Sequence, residues 1–276
     1  MRFELPSLLT AITLLGPVFA EKTMNVVAHP DDDLLFVNPD IQHNIDAGFD
    51  VLTVFLTSGD AGQSSEFWML RQEGMLAAYA EMADVENIWN LGDAGVEGKV
   101  IPLYWLQSRP EIRLAFMHIP DGNVDGSGFP ATGQESMEQL WKGEIETIGT
   151  VDGSGTTYSR DELIDTLRQI IDDVEPDSLN SLDYIDPFGS GDHSDHTSAG
   201  LFTNESAIAS VFPDSVIAYR GYPIEEEPEN VFGDDLARKK DAFFTYAAFD
   251  ATVCASDEAC VGTQYELWLP RQYTAN

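Results

Sequence analysis

Two short stretches of the sequence concentrate the side chains that could carry chemistry. In the first, Val26–Asp33, one histidine and three aspartates follow a short apolar run. In the second, Gly191–His196, two histidines and two aspartates lie within six positions. Three of the chain's five histidines therefore lie in these two stretches. Because imidazoles and carboxylates bind metals and transfer protons, we interpret the two stretches as halves of one metal site.

The spacing of the first stretch suggests what each group would do. His29 and Asp32 are three residues apart where a strand is expected to end, so both can reach one ion. Catalytic zinc sites commonly use three protein ligands, and the second stretch offers His193 or His196 as the third. Asp31 would then face the attacking water rather than the metal and act as its general base. Zinc favours this chemistry because it lowers the pKa of bound water to about 7.

Each stretch on its own has a plainer explanation. A His-Pro-Asp triplet is often only a turn, and aspartate-rich loops are commonly just solvated. A His-x-x-His spacing is a weak signal by itself. Both stretches, however, follow apolar runs in an alternating pattern of strands and helices, and this joint position favours a site.

The elements that must position these residues alternate along the chain. Apolar, β-branched runs predict strands over residues 23–28, 51–56, 87–90, 113–119, 182–185 and 215–219. Helical spacing and capping residues predict helices over residues 40–47, 64–83, 160–173, 197–212 and 233–249. This order predicts an α/β fold, a mostly parallel sheet flanked by helices, in a single domain over residues 21–276. Such sheets bind ligands at the carboxyl ends of their strands.

The charge balance argues against several classes of partner. The chain has 48 acidic and 14 basic residues, a formal net charge of −34. So much negative charge repels a phosphate backbone or an anionic lipid surface, so we expect no nucleic-acid partner. It suits a divalent cation or a neutral, glycan-like substrate. Acidity that merely keeps a secreted protein soluble is an equally good explanation.

The N-terminus has the pattern of a secretory signal peptide over residues 1–20. Arg2 gives a basic start, residues 5–15 are mostly apolar, and Val18-Phe19-Ala20 offers a cleavage site. The apolar run is shorter than the roughly 20 residues of a membrane span. We therefore expect no stable span after cleavage, and a protein that is secreted or lies in the lumen of the endoplasmic reticulum. An uncleaved membrane anchor is the alternative.

Two further features agree with an oxidising compartment. Cys254 and Cys260 are the only cysteines, and their close spacing predicts a disulfide. Zinc binding or redox chemistry by the two thiols is the alternative. Asn204 begins the only N-glycosylation sequon, Asn204-Glu205-Ser206, and is therefore a candidate acceptor.

Three motifs together resemble a known family. The string Ala28–Asp32 (AHPDD), the loop Thr57–Asp60 and the segment His193–His196 resemble, in this order, the LmbE/PIG-L family of metal-dependent N-deacetylases. The resemblance covers most of the chain after the signal, and AHPDD is its most specific part. It implies a Rossmann-like fold, one Zn²⁺ and an N-acetylated amino-sugar substrate. The usual substrates include N-acetylglucosaminyl-phosphatidylinositol, mycothiol precursors and chitooligosaccharides.

The resemblance also assigns roles. It implies three metal ligands: His29, Asp32 and His196. Asp31 would be the general base, and protonated His193 would stabilise the oxyanion and help the amine to leave, with Asp195 orienting His193. Water would attack the acetamide carbon, and acetate and a free amine would result.

Two residues are candidates for binding the substrate. Arg71, on the helix after the second strand, resembles the family's sugar-contacting arginine, and a surface or ion-paired arginine is the alternative. Asp121 follows a strand and could accept hydrogen bonds from sugar hydroxyls. Asp121–Gly126 also matches the first half of an EF-hand calcium loop, but position twelve is Thr132 instead of Glu. A glycine-rich turn is therefore the favoured interpretation.

Two positions depart from the family's pattern. Asp33 stands where the family commonly has Glu, which is one methylene longer, and Gly191 stands where some bacterial members have Tyr. The leading hypothesis is a zinc-dependent deacetylase of N-acetylglucosamine-containing glycans or glycoconjugates. The alternative is a non-catalytic, acidic secreted module that binds glycans or cations on the same scaffold.

Overall fold

A computed structural model of the chain describes residues 20–212 and 215–275. Its strands are β1 (Lys22–Val27), β2 (Asp50–Thr57), β3 (Trp89–Asp93), β4 (Pro102–Leu106), β5 (Ile112–Ile119), β6 (Thr147–Gly149), β7 (Thr157–Ser159), β8 (Ser178–Leu182) and β9 (Val216–Tyr219). Its α-helices are α1 (Asp40–Ala47), α2 (Ser65–Met82), α3 (Met137–Lys142), α4 (Arg160–Val174), α5 (Ser194–Ala209), α6 (Gly233–Ala247), α7 (Asp257–Cys260) and α8 (Gln264–Trp268).

Seven of these strands form one sheet in the order β3-β4-β5-β2-β1-β8-β9. The five strands from β5 to β9 in this order run parallel, and β3 and β4 add an antiparallel edge. β6 and β7 form a separate antiparallel pair. The prediction of a mostly parallel sheet flanked by helices in a single domain is confirmed.

The central strands are buried along most of their length because helices cover the sheet. All of β2 after Asp50 is buried, and Phe55 stacks on Phe116 of β5 with ring centroids 4.9 Å apart. A strand that is buried on both faces has a continuous rather than an alternating apolar pattern. Helix α2 packs against α6, and α4 packs against α5.

The predicted helices agree with the structure within a few residues. Helix α4 begins with the predicted cap: the Ser159 hydroxyl accepts a hydrogen bond from the Glu162 amide, and the Glu162 carboxylate accepts one from the Ser159 amide. Such a capping box satisfies two amides that the helix leaves free. Helix α5 begins at Ser194, three residues before the predicted start, because His193 acts as its N-cap.

Two strand predictions differ from the structure. The strand predicted over 182–185 is β8, which ends at Leu182, because the Asp183 carboxylate accepts hydrogen bonds from the Ile185 and Asp186 amides and turns the chain. The strand predicted over 87–90 is the beginning of β3. The stretch after it, where no strand is predicted, contains β4, and Pro102 is tolerated there as the first residue of its strand.

The structure tests some of the remaining sequence predictions, on the disulfide, the glycosylation site, the signal peptide and membrane spans, and leaves others open. Cys254 and Cys260 form the predicted disulfide. Asn204 is half-buried within α5, and the hydroxyl of Ser206 in its sequon donates to the Phe202 carbonyl, so glycosylation stays a prediction. The predicted signal peptide lies outside the described residues except for Ala20. None of the described helices combines the length and the apolar character needed to cross a bilayer.

Candidate metal centre and pocket

The candidate site residues lie at one edge of the sheet, after the carboxyl ends of four neighbouring strands. His29 follows β1, the Thr57–Asp60 loop follows β2, Asp121 follows β5, and the Gly191–His196 stretch follows β8. Because the order β5-β2-β1-β8 places these ends side by side, residues far apart in sequence meet here.

His29, Asp32 and His196 come together around the Asp32 carboxylate. Its Oδ2 lies 3.1 Å from Nδ1 of His29, and its Oδ1 lies 3.0 Å from Nε2 of His196. All three residues are buried, and one ligand atom from each lies within 4.8 Å of the others. Two imidazoles and a carboxylate are a typical donor set for zinc and related metals. The three predicted ligands therefore meet in an arrangement that fits one metal ion.

Each imidazole of this triad contacts a second carboxylate through the ring nitrogen that does not face Asp32. His196 Nδ1 lies 2.7 Å from Oδ1 of Asp192, and His29 Nε2 lies 3.2 Å from Oδ2 of Asp195. Such outer carboxylates fix the tautomer and orientation of metal-binding histidines. A second group of potential ligand atoms also lies within 4.8 Å of one another. It shares His29 with the triad and adds Asp121, His193 and Asp195.

The predicted general base, Asp31, has an unusual backbone and a buried partner. Its φ of 109° lies in the left-handed region, which side chains other than glycine rarely adopt. Burial raises its pKa to about 7, although the Arg71 guanidinium opposes this rise. Arg71 Nη2 lies 3.0 Å from Oδ1 of Asp31 and donates to the Pro30 carbonyl at 2.6 Å. A carboxylate that titrates near neutrality suits a general base.

Arg71 is itself buried and makes several hydrogen bonds and ion pairs. It donates to the Gly59 carbonyl at 2.6 Å and to the Tyr246 hydroxyl at 2.7 Å, and its Nε lies 3.0 Å from Asp250. The ion-paired alternative is therefore what the structure contains. Arg71 also lines the pocket described below, so its predicted contact with the substrate stays a prediction.

His193 faces the same pocket, but its partner differs from the expectation. Its Nδ1 accepts a hydrogen bond from the Asp195 amide at 3.1 Å, whereas the Asp195 carboxylate lies 3.9 Å from that atom and contacts His29 instead. Asp195 thus orients His193 through its main chain. Burial lowers the pKa of His193, and neighbouring His29 lowers it further, which opposes the protonated ring that the resemblance implies. Because Nδ1 accepts, the proton lies on Nε2, which is 3.8 Å from Asp121.

The predicted glycine-rich turn holds the second stretch in place. The Asp121 carboxylate accepts the Asn123 amide at 2.8 Å, and the Val124 carbonyl accepts the amide of Ser194 at 3.0 Å. Asp121 is buried except for the part of it that lines the pocket. The turn therefore positions the start of α5, which carries His196.

A family sequence model, "PIG-L: GlcNAc-PI de-N-acetylase", matches residues 24–207, more than half of the chain. The chain belongs to this family. The match includes AHPDD, the Thr57–Asp60 loop and the stretch that ends at His196. Among curated proteins, no sequence matches the chain significantly.

Solved structures share this PIG-L fold at low identity. The N,N′-diacetylchitobiose deacetylase of Pyrococcus horikoshii has a TM-score of 0.52 and 17% identity, over 91% of this chain and 76% of that one. The 4-carboxy-2-hydroxymuconate hydratase GalB of Pseudomonas putida has a TM-score of 0.50 and 16% identity, over 90% and 82%. The A40926 pseudoaglycone deacetylase Dbv21 has a TM-score of 0.50 and 11% identity, over 86% of each chain. At these identities the likeness shows the fold.

One wall of the pocket comes from beyond the PIG-L match. Two residues of the triad, His29 and Asp32, line a cavity of about 230 Å³. Five of its lining residues follow position 207: Tyr222, Thr252, Val253, Tyr265 and Trp268. Tyr222 and Trp268 stack with ring centroids 4.5 Å apart. Sequence reasoning missed this wall, and the signal that could have indicated it is the predicted disulfide, since Cys254 directly follows Val253.

The two departures from the family's pattern have different structural consequences. Asp33 is fully buried, points away from the pocket, and accepts a hydrogen bond from the Tyr79 hydroxyl at 2.6 Å. Burial raises its pKa to about 7. At Gly191 the φ of +106° disfavours other residues, although open space surrounds the position of a Cβ.

Proposed function

We propose that this chain is a zinc-dependent hydrolase that removes the acetyl group from N-acetylglucosamine-containing glycans or glycoconjugates. The observation that carries the proposal is the position of Asp31. Its carboxylate, with a pKa of about 7, lines the pocket directly beside a two-histidine, one-aspartate donor set. Membership of the PIG-L family, whose described reaction is de-N-acetylation, supports the choice of an amide substrate.

The metal would be held by His29, Asp32 and His196. When bound, zinc would supply Lewis-acid chemistry, since it polarises a carbonyl oxygen and lowers the pKa of water. Asp192 and Asp195, which contact the other ring nitrogens of His196 and His29, would keep the two imidazoles in position for the ion.

The surrounding residues would carry the proton transfers. Asp31 would accept a proton from the attacking water, and Arg71 would hold the carboxylate in place while it does so. The Nε2–H of His193 would donate to the developing oxyanion. The proton that Asp31 takes from the water would then pass to the departing amine, which would restore the Asp31 carboxylate. The amide C–N bond breaks, and acetate and a free amine leave the pocket.

The charge of the molecule favours a neutral glycan over a phosphoinositide. With a net charge of −34, the protein would repel an anionic headgroup and an anionic membrane surface. The P. horikoshii protein of the same fold is a deacetylase of N,N′-diacetylchitobiose, a neutral sugar. A soluble oligosaccharide is therefore the substrate class that we favour.

We also propose that the protein is secreted or lumenal. The disulfide supports this location, because such bonds persist in oxidising compartments. N-terminal sequencing of the protein from its native host tests it: a mature chain that begins near Glu21 is expected, and an intact Met1 would contradict cleavage.

Metal analysis and acetate release test the proposed reaction. The purified protein should hold about one zinc per chain and release acetate from N-acetylglucosamine compounds. Asp31→Asn should abolish turnover and leave zinc bound, whereas Asp241→Asn, on the exposed face of α6, should leave turnover intact. Because GalB has this fold and is a hydratase, acetate itself must be measured. A zinc-loaded protein that releases no acetate, or an active Asp31→Asn variant, would overturn the proposal.

A further inference from the structure

A second cavity lies directly beside the first. It has a volume of about 410 Å³, and Gln63 lines both cavities. At three places, consecutive residues line the second and the first cavity: Asp60 and Ala61, Trp68 and Phe67, Pro120 and Asp121. Consecutive Cα atoms are about 3.8 Å apart. The ridge between the two cavities is therefore one residue thick at Gln63 and two residues thick at these three places.

Asp60 makes this ridge rigid. The residue is buried, and its Oδ1 accepts hydrogen bonds from the Asp121 amide and the Ser58 hydroxyl, both at 2.9 Å. Its Oδ2 accepts the Gly62 amide at 3.0 Å. Both sides of the ridge are thus tied to one carboxylate. The two cavities are formed in advance, as is usual for ligand sites.

The lining of the second cavity suits a sugar. The indole of Trp68 is held against His118 with centroids 4.9 Å apart, and the 8% of the residue that is exposed gives the cavity a rigid apolar part of its wall. Around it lie the side chains of Gln63, Ser65 and Glu135. Among residues 20–212 and 215–275, no donor reaches the Glu135 carboxylate. Sugar hydroxyls can donate to such a carboxylate, while an anionic ligand would be repelled.

The volumes of the two cavities indicate that each would hold a different part of the substrate. Ligand pockets typically occupy about 300–1,000 Å³. The first cavity, about 230 Å³, is below this range, whereas the second, about 410 Å³, lies within it. In the proposed reaction, the first cavity takes the reacting acetamide and the ring that bears it. A neighbouring ring of the same glycan must extend beyond it, and the thin ridge leaves the second cavity within reach of a glycosidic link.

We infer that the second cavity is a subsite for a neighbouring sugar residue, so that the substrate is a glycan of at least two residues. This inference rests on the proposed function only in placing the reacting sugar in the first cavity. The subsite lies between the start of α2, the segment 129–135 and the segment 149–151.

The test compares N-acetylglucosamine with N,N′-diacetylchitobiose as substrates and, by calorimetry, as ligands. Ala131→Trp fills the cavity from its exposed rim, Glu135→Gln removes the free carboxylate, and Ala47→Trp, an exposed position at the end of α1, is the matched control. The disaccharide should have the higher kcat/KM. Ala131→Trp should lower the ratio of disaccharide to monosaccharide kcat/KM roughly tenfold, Glu135→Gln should lower it less, and Ala47→Trp should keep it.

Two results would overturn the subsite: a disaccharide that binds no more tightly than the monosaccharide, or an unchanged ratio in Ala131→Trp. If neither sugar releases acetate, calorimetry still decides. Tighter binding of the disaccharide that Ala131→Trp removes would keep the subsite and refute the proposed reaction instead.

Discussion

Arg71 illustrates how a residue's neighbours change its interpretation. The resemblance implies a contact with the sugar, but the guanidinium donates to two carbonyls and a hydroxyl and pairs with Asp31 and Asp250. These contacts hold Asp31 in a backbone conformation that it would otherwise avoid. In the structure, Arg71 is first of all a residue that positions Asp31.

Arg71→Lys tests this role, because lysine keeps the charge but cannot reproduce the planar set of donors. We expect kcat to fall by roughly 100-fold, the effect of displacing a reacting group by about 1 Å, with little change in KM. Arg109→Lys, which alters an arginine that pairs with Glu111 ahead of β5, is the control. A rise in KM with kcat retained would instead support the contact with the sugar.

Asp195 is the residue for which the sequence and the structure suggest different roles. If its carboxylate holds His29, as the 3.2 Å contact indicates, Asp195→Asn should weaken zinc binding by about 10–100-fold. Competition with a chelator measures this affinity, and Asp161→Asn on the exposed face of α4 is the control. Unchanged zinc affinity with a lower kcat would favour the predicted role of orienting His193.

The candidate metal ligands could be predicted from the sequence because each belongs to a short, specific motif. AHPDD placed His29 and Asp32 at the end of a strand, and the spacing within the second stretch offered His196. The partners of these residues could not be predicted in the same way. Which carboxylate contacts which imidazole depends on side-chain directions that are set by the packing of α5 against the sheet.

At the scale of elements, local sequence patterns predicted most helices and central strands, but they did not predict β4 or the pocket wall. Caps and helical spacing located α2 and α4 closely, since these signals lie within the helix itself. The antiparallel strand β4 was missed although its partners β3 and β5 are near in sequence, because it is only five residues long and begins with Pro102, which by itself favours a loop. The pocket wall formed by residues after 207 was missed because it meets the site only through contacts between residues that are distant in sequence.

The disulfide is expected to keep this wall in place. Thr252 and Val253 line the pocket just before Cys254, and Thr252 is also tied by its amide to Asp250 at 2.9 Å. Replacing Cys254 and Cys260 by serine should raise KM several-fold with a smaller effect on kcat. It should also lower the free energy of unfolding by about 2 kcal/mol, as expected for so short a loop.

Steady-state kinetics on the double variant and on the wild type, each with and without reductant, separate these effects. Reductant should raise KM in the wild type and leave the double variant unchanged. A wild-type KM that is the same in both conditions, with the disulfide shown to be reduced, would contradict a role of this bond in the pocket.

At the scale of the whole molecule, the sequence predicted the fold class and the sign of the charge, but not the buried charges. A lysine on α6 belongs to a pattern that suggests a solvated face. Lys239 is nevertheless fully buried, and its Nζ donates to the Leu35 and Arg271 carbonyls, both at 2.7 Å. It thus joins the short helical segment Asp33–Val37, which follows the predicted ligand Asp32, to the C-terminal segment.

This buried lysine should make the stability of the fold depend on pH. Burial lowers the pKa of Lys239 to about 7, whereas in the unfolded chain it is about 10.4. Between these values the unfolded state binds the proton and the folded state does not, so stability should rise with pH from 7 upward. Lys239→Met removes this contribution and should give a flatter profile. Urea unfolding of both proteins from pH 7 to 9 measures the two slopes, and equal slopes would show that Lys239 keeps its proton when buried, held by the two carbonyls and by nearby Asp40.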